Sequence, residues 1–117
     1  MTVAQIRHVT EGDLTYDAIM IWCPGCTLMI SPDEPDEGGL HLLPVNSTTK
    51  TPSWTWDGSL DRPTLSPSIL TTYSADRRCH SFLSGGFWDF LADCTHVLAG
   101  QTVPMPDLPD WVLESVY

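Results

Sequence analysis

CHSFLSGGFWDFL, residues 79–91, is the stretch whose reading decides the fold. Gly85 and Gly86 can both take positive φ, which is what a two-residue hairpin turn demands. With that pair as the turn, Ser84 faces Phe87 and Cys79 opposes Ala92. Alternation along each strand then gathers Cys79, Leu83, Trp88 and Phe90 on one face, and turns His80, Phe82 and Leu91 to the other. Cys94 falls diagonally across from Cys79 on the first face, and His96 returns to that face if the strand runs on.

Outward from the hairpin, the chain reads as short strands between turns. Residues 16–22 (YDAIMIW) predict a strand running straight into Cys23, with residues 27–30 returning as a second. Residues 31–39 (SPDEPDEGG) form an acidic, solvated loop. Further strands are expected over 41–45, 53–56 and 68–73, with a turn-rich stretch at 57–67. Asp93 is placed to cap one or two helical turns ending near Gly100. Residues 104–109 are extended, and 110–116 add a last short helix. The ten prolines lie mostly between apolar segments, against long helices. The fold class is therefore all-β, or β-rich α+β: one small domain over residues 1–117, built of hairpins with one or two short helices.

Composition bounds the function. The 117 residues include 15 Asp and Glu against 5 Lys and Arg, a net charge of −10. Direct nucleic-acid binding needs clustered cations, so it is excluded. No apolar run approaches the ~20 residues of a spanning helix, and residues 1–7 are not followed by the apolar block of a signal peptide. The four cysteines are then expected as reduced thiols in a cytosol, where metal binding is their natural use. In a secreted chain they would form two disulfides instead.

Cys23-Pro24-Gly25-Cys26 is the sharpest local signal, since two thiolates two residues apart can grip one tetrahedral ion. A strand–knuckle–strand context favours metal over redox chemistry, whose attacking thiol sits at a helix N-terminus. The hairpin makes Cys79 the third ligand and leaves Cys94 and His96 competing for the fourth place. Zinc suits such a mixed thiolate–imidazole set. His80 reads as a satisfied structural histidine, and His8 and His41 as ordinary surface or strand residues. Trp54 and Trp56 share a sheet face and read as core filler rather than as an aromatic platform. The hydroxyls of residues 57–68 suggest turn chemistry. A serine nucleophile among them would need a histidine base held by a third group. No recognised spacing supplies one, so no catalytic residue is assigned.

The order CPGC (23–26), WTWDGSLDRPTLSPSIL (54–70), RCHSF (78–82), DCTHVLAGQTVPMP (93–106) resembles a family of small phage and prophage proteins, over roughly residues 20 to 106. Members are often labelled "ammonia monooxygenase", which this sequence does not support, having neither membrane spans nor a histidine-rich copper site. The resemblance implies a phage origin and a zinc site. It also points to His96 as the fourth ligand, because similar sequences carry serine where this one has Cys94.

The expectation is a non-enzymatic, phage-encoded module stabilised by Zn2+ on Cys23, Cys26, Cys79 and His96. It would bind another protein, as an accessory factor acting on the host or as a minor virion component. Its place would be the host cytoplasm or the virion, with no nucleic-acid or membrane partner. The rival is a small zinc-dependent hydrolase with three protein ligands and an open water position. In that version Cys94 or His80 is left out of the metal shell, and Asp93 or Asp89 serves as base.

Overall fold

Two antiparallel sheets face each other in a computed structural model that describes residues 2–34 and 37–114. The first sheet has the order β1 (Ala4–Glu11), β2 (Leu14–Trp22), β3 (Leu40–Val45). The second runs β4 (Thr55–Trp56), β5 (Leu65–Ser74), β6 (Arg77–Ser84), β7 (Phe87–Phe90), β8 (Thr102–Pro104). Two short helices, α1 (Pro24–Ile30) and α2 (Asp110–Leu113), complete the elements. The β-rich class expected from the sequence is the one observed.

The core lies between the sheets, where Ile19 and Ile21 of β2 meet Leu65, Ile69, Leu83, Trp88 and Phe90. Strand β2 is buried on both faces over Ala18–Trp22, because the C-terminal segment covers its far side. Met20 and Trp22 pack there against Leu108 and Val112. That double burial is why residues 18–22 are apolar without alternation. The sheets are stitched at one edge by a parallel bridge between Val45 and Trp54. Across the core the Trp88 indole N–H donates to the Trp22 carbonyl at 2.9 Å.

The hairpin of β6 and β7 has the expected register: Ser84 opposes Phe87, Leu83 opposes Trp88, and Ser81 opposes Phe90. Gly85 and Gly86 hold φ of 57° and 84°, as that turn requires. Beyond Phe90 the prediction departs from the structure. Residues 91–94 leave the strand as a turn, and residues 95–100 form further turns rather than a helix. Residues 27–30 are helix, not strand. Pro24 sits at the first helical position with its φ already set, and Thr27 and Ser31 N–H bond back to the Cys23 and Thr27 carbonyls. The hairpin of β1 and β2 was not anticipated; it turns at Gly12, φ 60°. Pro35 and Asp36 of the acidic loop, and residues 115 and 116 of the expected last helix, lie outside the described residues.

Candidate active site

Strand β5 does not pair evenly with β6. Leu65 opposes Leu83 and Ile69 opposes Ser81, so β5 spends four steps where β6 spends two. Ser68 lies in this bulge. Bulges re-aim side chains next to functional sites, and here the result is explicit: Ser68 Oγ lies 3.0 Å from His80 Nε2. The Ser68 carbonyl is held from the other side by the Trp54 indole N–H at 3.3 Å. Trp54 and Trp56 both pack partly buried against the core, the filler role expected of them, and Trp54 also fixes the backbone of this serine.

His80 sits on the face opposite Cys79, as alternation predicted. Its Nδ1 lies 3.1 Å from Asp93 Oδ2. Ser68, His80 and Asp93 thus form a continuous hydrogen-bonded chain from hydroxyl to imidazole to carboxylate. In the tautomer with hydrogen on Nδ1, the imidazole donates to Asp93 and Nε2 accepts from the serine hydroxyl. This is the arrangement by which a histidine activates a serine nucleophile. The Asp93 side chain remains 43% exposed, with the Arg78 guanidinium 4.0 Å away.

The departure of β7 from the sheet is what delivers Asp93. After Phe90 the chain turns, yet it continues to pair with β6 through mixed contacts. Leu91 N–H donates to the His80 carbonyl at 2.9 Å, and Thr95 N–H donates to that of Arg78 at 2.9 Å. Between them the Cys94 thiol accepts from His80 N–H at 3.2 Å and lies 3.1 Å from the His80 carbonyl. A side chain here does the work of a strand neighbour: the thiol satisfies the His80 N–H and shares the His80 carbonyl with Leu91 N–H. Asp93, immediately before, is thereby set level with the imidazole.

On the inner face of β6 lies a second constellation. The sulfurs of Cys23, Cys26 and Cys79 all lie within 4.8 Å of one another and are buried. Cys23 Sγ is 3.7 Å from Cys79 Sγ. His96 Nε2 lies 3.3 Å from Cys79 Sγ, and His41 Nε2 lies 3.3 Å from Cys26 Sγ. Cys79, Cys94 and His96 form a second such group sharing Cys79. Any side chain at Gly25 would overlap the His96 ring, which is why the knuckle carries glycine there. These groups could hold a metal ion. Of the expected ligands, Cys23, Cys26 and Cys79 gather in one group, while His96 joins Cys79 and Cys94 in the other; His41, read as an ordinary residue, lies against Cys26.

The electrostatics suit a cation. Hydrogen bonds from Cys23 and Cys79 pull the Cys26 thiol down. Burial pushes Cys23 up, and hydrogen bonds with Cys23 and Cys26 push Cys79 up. A bound dication would favour the thiolate form of all three. Burial holds His96 below its ordinary range, in the neutral form that ligates. The helical context of Cys23 and Cys26 cancels the strand–knuckle–strand argument against redox chemistry. The third thiol and two imidazoles now carry the case for metal.

Comparison with known proteins bears on the outer face. A family described as bacterial ubiquitination-like system serine protease (BubE) matches residues 2–91. The chain belongs to this family. The match takes in Ser68 and His80 and stops short of Asp93, which the structure supplies. No curated protein and no solved structure matches the chain significantly. Membership overturns the reading of a phage-encoded, non-enzymatic protein-binding module. The zinc-hydrolase alternative falls with it. The groups it borrowed as spare ligand and base, His80 and Asp93, are engaged with Ser68 on the face away from the thiols. Asp89 accepts from the Thr102 hydroxyl at 3.3 Å.

Proposed function

We propose that this chain is a serine peptidase of a bacterial ubiquitination-like system, with Ser68 as nucleophile, His80 as base and acid, and Asp93 as the group that orients His80. The observation that carries this reading is the 3.0 Å and 3.1 Å chain joining the three side chains. Ser68 Oγ attacks the carbonyl carbon of an amide while its proton passes to His80 Nε2. The imidazolium formed is stabilised by Asp93, and gives its proton to the leaving amine nitrogen as the C–N bond breaks. Water, deprotonated by the same imidazole, then cleaves the Ser68 ester and frees the carboxylate. The partner is accordingly another protein, one that carries the amide bond to be cut.

The metal in this reading is a structural Zn2+ on Cys23, Cys26, Cys79 and His96. A tetrahedral zinc thiolate site has Zn–S near 2.3 Å and hence S···S edges of about 3.8 Å, and the Cys23–Cys79 separation of 3.7 Å fits that edge. One observation favours His41 in the fourth place instead. Leu98 N–H points at His96 Nδ1 at 3.3 Å, which suits the tautomer with hydrogen on Nε2, a donor to Cys79 rather than a ligand. Zinc content of His96→Ala and His41→Ala separates the two, since only loss of the true ligand empties the site.

The activity is tested with protein purified without added metal and a fluorogenic peptide amide. Ser68→Ala should lower kcat by about a millionfold, to background, as removal of a triad nucleophile does. Turnover that persists in Ser68→Ala would remove the serine from the mechanism.

A further inference from the structure

The face that carries the nucleophile also carries large apolar side chains that none of the described residues covers. Leu70 directly opposes His80 in the ladder, and Phe82 is two residues along β6 from His80, so both share its face. Phe87 pairs with Ser84, two residues further on, and extends the same row onto β7. Their exposures are 57% for Leu70, 44% for Phe82 and 48% for Phe87. One exposed Leu or Phe is ordinary; three in a row beside a nucleophile form a contiguous patch, and such patches mark binding surfaces. Directly opposed residues have Cβ atoms about 5 Å apart, and same-face neighbours along a strand about 7 Å. Leu70 and Phe82 therefore flank the imidazole at the reach of one substrate residue.

We propose that Leu70, Phe82 and Phe87 form the substrate-docking platform, and that it selects polypeptides with large apolar side chains next to the scissile bond. This rests on the peptidase reading and deepens it. Two features choose the occupant. The row is continuous with Ser68 and His80, so whatever is cut at Ser68 must lie over it. A second copy of this chain is disfavoured because each copy brings a net charge of −10. Asp89, opposite Phe82 on the same face, closes the patch with a carboxylate and turns acidic substrate residues away.

The probe is a pair of internally quenched peptides, identical except that the residues flanking the scissile amide are Leu in one and Asp in the other. Wild-type protein should cleave the Leu peptide with kcat/KM at least tenfold higher. Phe82→Lys should shrink or reverse that ratio, while Val97→Asp, an exposed apolar residue on another part of the surface, should leave it unchanged. A fluorophosphonate reacted with wild type separates the possible failures. If Ser68 is labelled and the two peptides are cleaved equally, or neither is cleaved, the platform is wrong and the nucleophile stands. If Ser68 is not labelled, the peptidase reading falls and the platform with it.

Discussion

Cys94 lies where alternation along the hairpin places it, on the inner side near Cys79, in a group with Cys79 and His96 that could hold a metal. The hairpin left it competing with His96 for the fourth ligand place, and the resemblance favoured His96. Its sulfur exchanges hydrogen bonds with both backbone groups of His80. Replacing it by alanine strands a nearly buried N–H, at a cost of about 1–3 kcal/mol. It also removes one of the contacts that hold the Asp93 loop level with the imidazole. Cys94→Ser should therefore keep its metal and most of its kcat, because a hydroxyl donates and accepts in the same place. Cys94→Ala should keep its metal but lose tenfold or more in kcat, as steady-state kinetics with metal analysis will show. Metal lost from Cys94→Ser would make the thiol a ligand. Asp93 permits a second comparison. A buried triad aspartate is worth about 10⁴-fold in kcat when changed to asparagine. At 43% exposure the Asp93 carboxylate is partly screened by water, so Asp93→Asn should cost less, between about 10²- and 10⁴-fold. A loss under tenfold would remove Asp93 from the catalytic chain.

At the scale of elements, β6 serves two centres. Cys79 faces inward to the thiols and His80 outward to Ser68, while the loop after β7 sends Asp93 outward and His96 inward. A metal held between Cys79 and the surrounding ligands would therefore clamp the strand that presents the base. Structural zinc sites contribute about 10–16 kcal/mol in small peptides, against a net stability of about 5–15 kcal/mol for a domain. Removing the ion with a strong chelator should lower the melting temperature sharply and abolish peptidase activity, although the ion touches no substrate. An unchanged melting curve in chelator would mean that the thiols hold no structural ion.

The hairpin register was legible because two glycines and strict alternation leave one solution. The helix at residues 24–30 was not, since TLMI reads equally as strand, and Pro24 had to be recognised as a first helical residue. The nucleophile was hidden for a different reason. Ser68 and His80 meet only through a bulge between non-adjacent sequence segments, and no local pattern encodes a bulge. A usable signal is present nonetheless: His80 faces outward on its strand, and Asp93 follows in the turn beyond the paired strand.

The whole molecule is a three-layer stack in which the catalytic face is outermost on one side and α2 closes the other. Val112 is wholly buried against Met20 and Trp22, and the Trp22 carbonyl holds the Trp88 indole just before the thiol knuckle begins. Fully burying a valine is worth about 1.5–3 kcal/mol. Val112→Ala should therefore lower unfolding free energy by about 2 kcal/mol in urea melts, without changing kcat at temperatures where the protein stays folded. No change in stability would show that the C-terminal layer adds nothing to the fold. Among the described residues no helix is long and apolar enough to cross a membrane.

The claim on which the rest depends is that Ser68 is activated by His80. Reaction with a fluorophosphonate, followed by mass spectrometry of the peptide containing residues 65–74, measures this directly. A single adduct is expected on Ser68 in wild-type protein, lost in Ser68→Ala and slowed at least a hundredfold in His80→Ala. An unmodified Ser68, or labelling as fast in His80→Ala as in wild type, would contradict it.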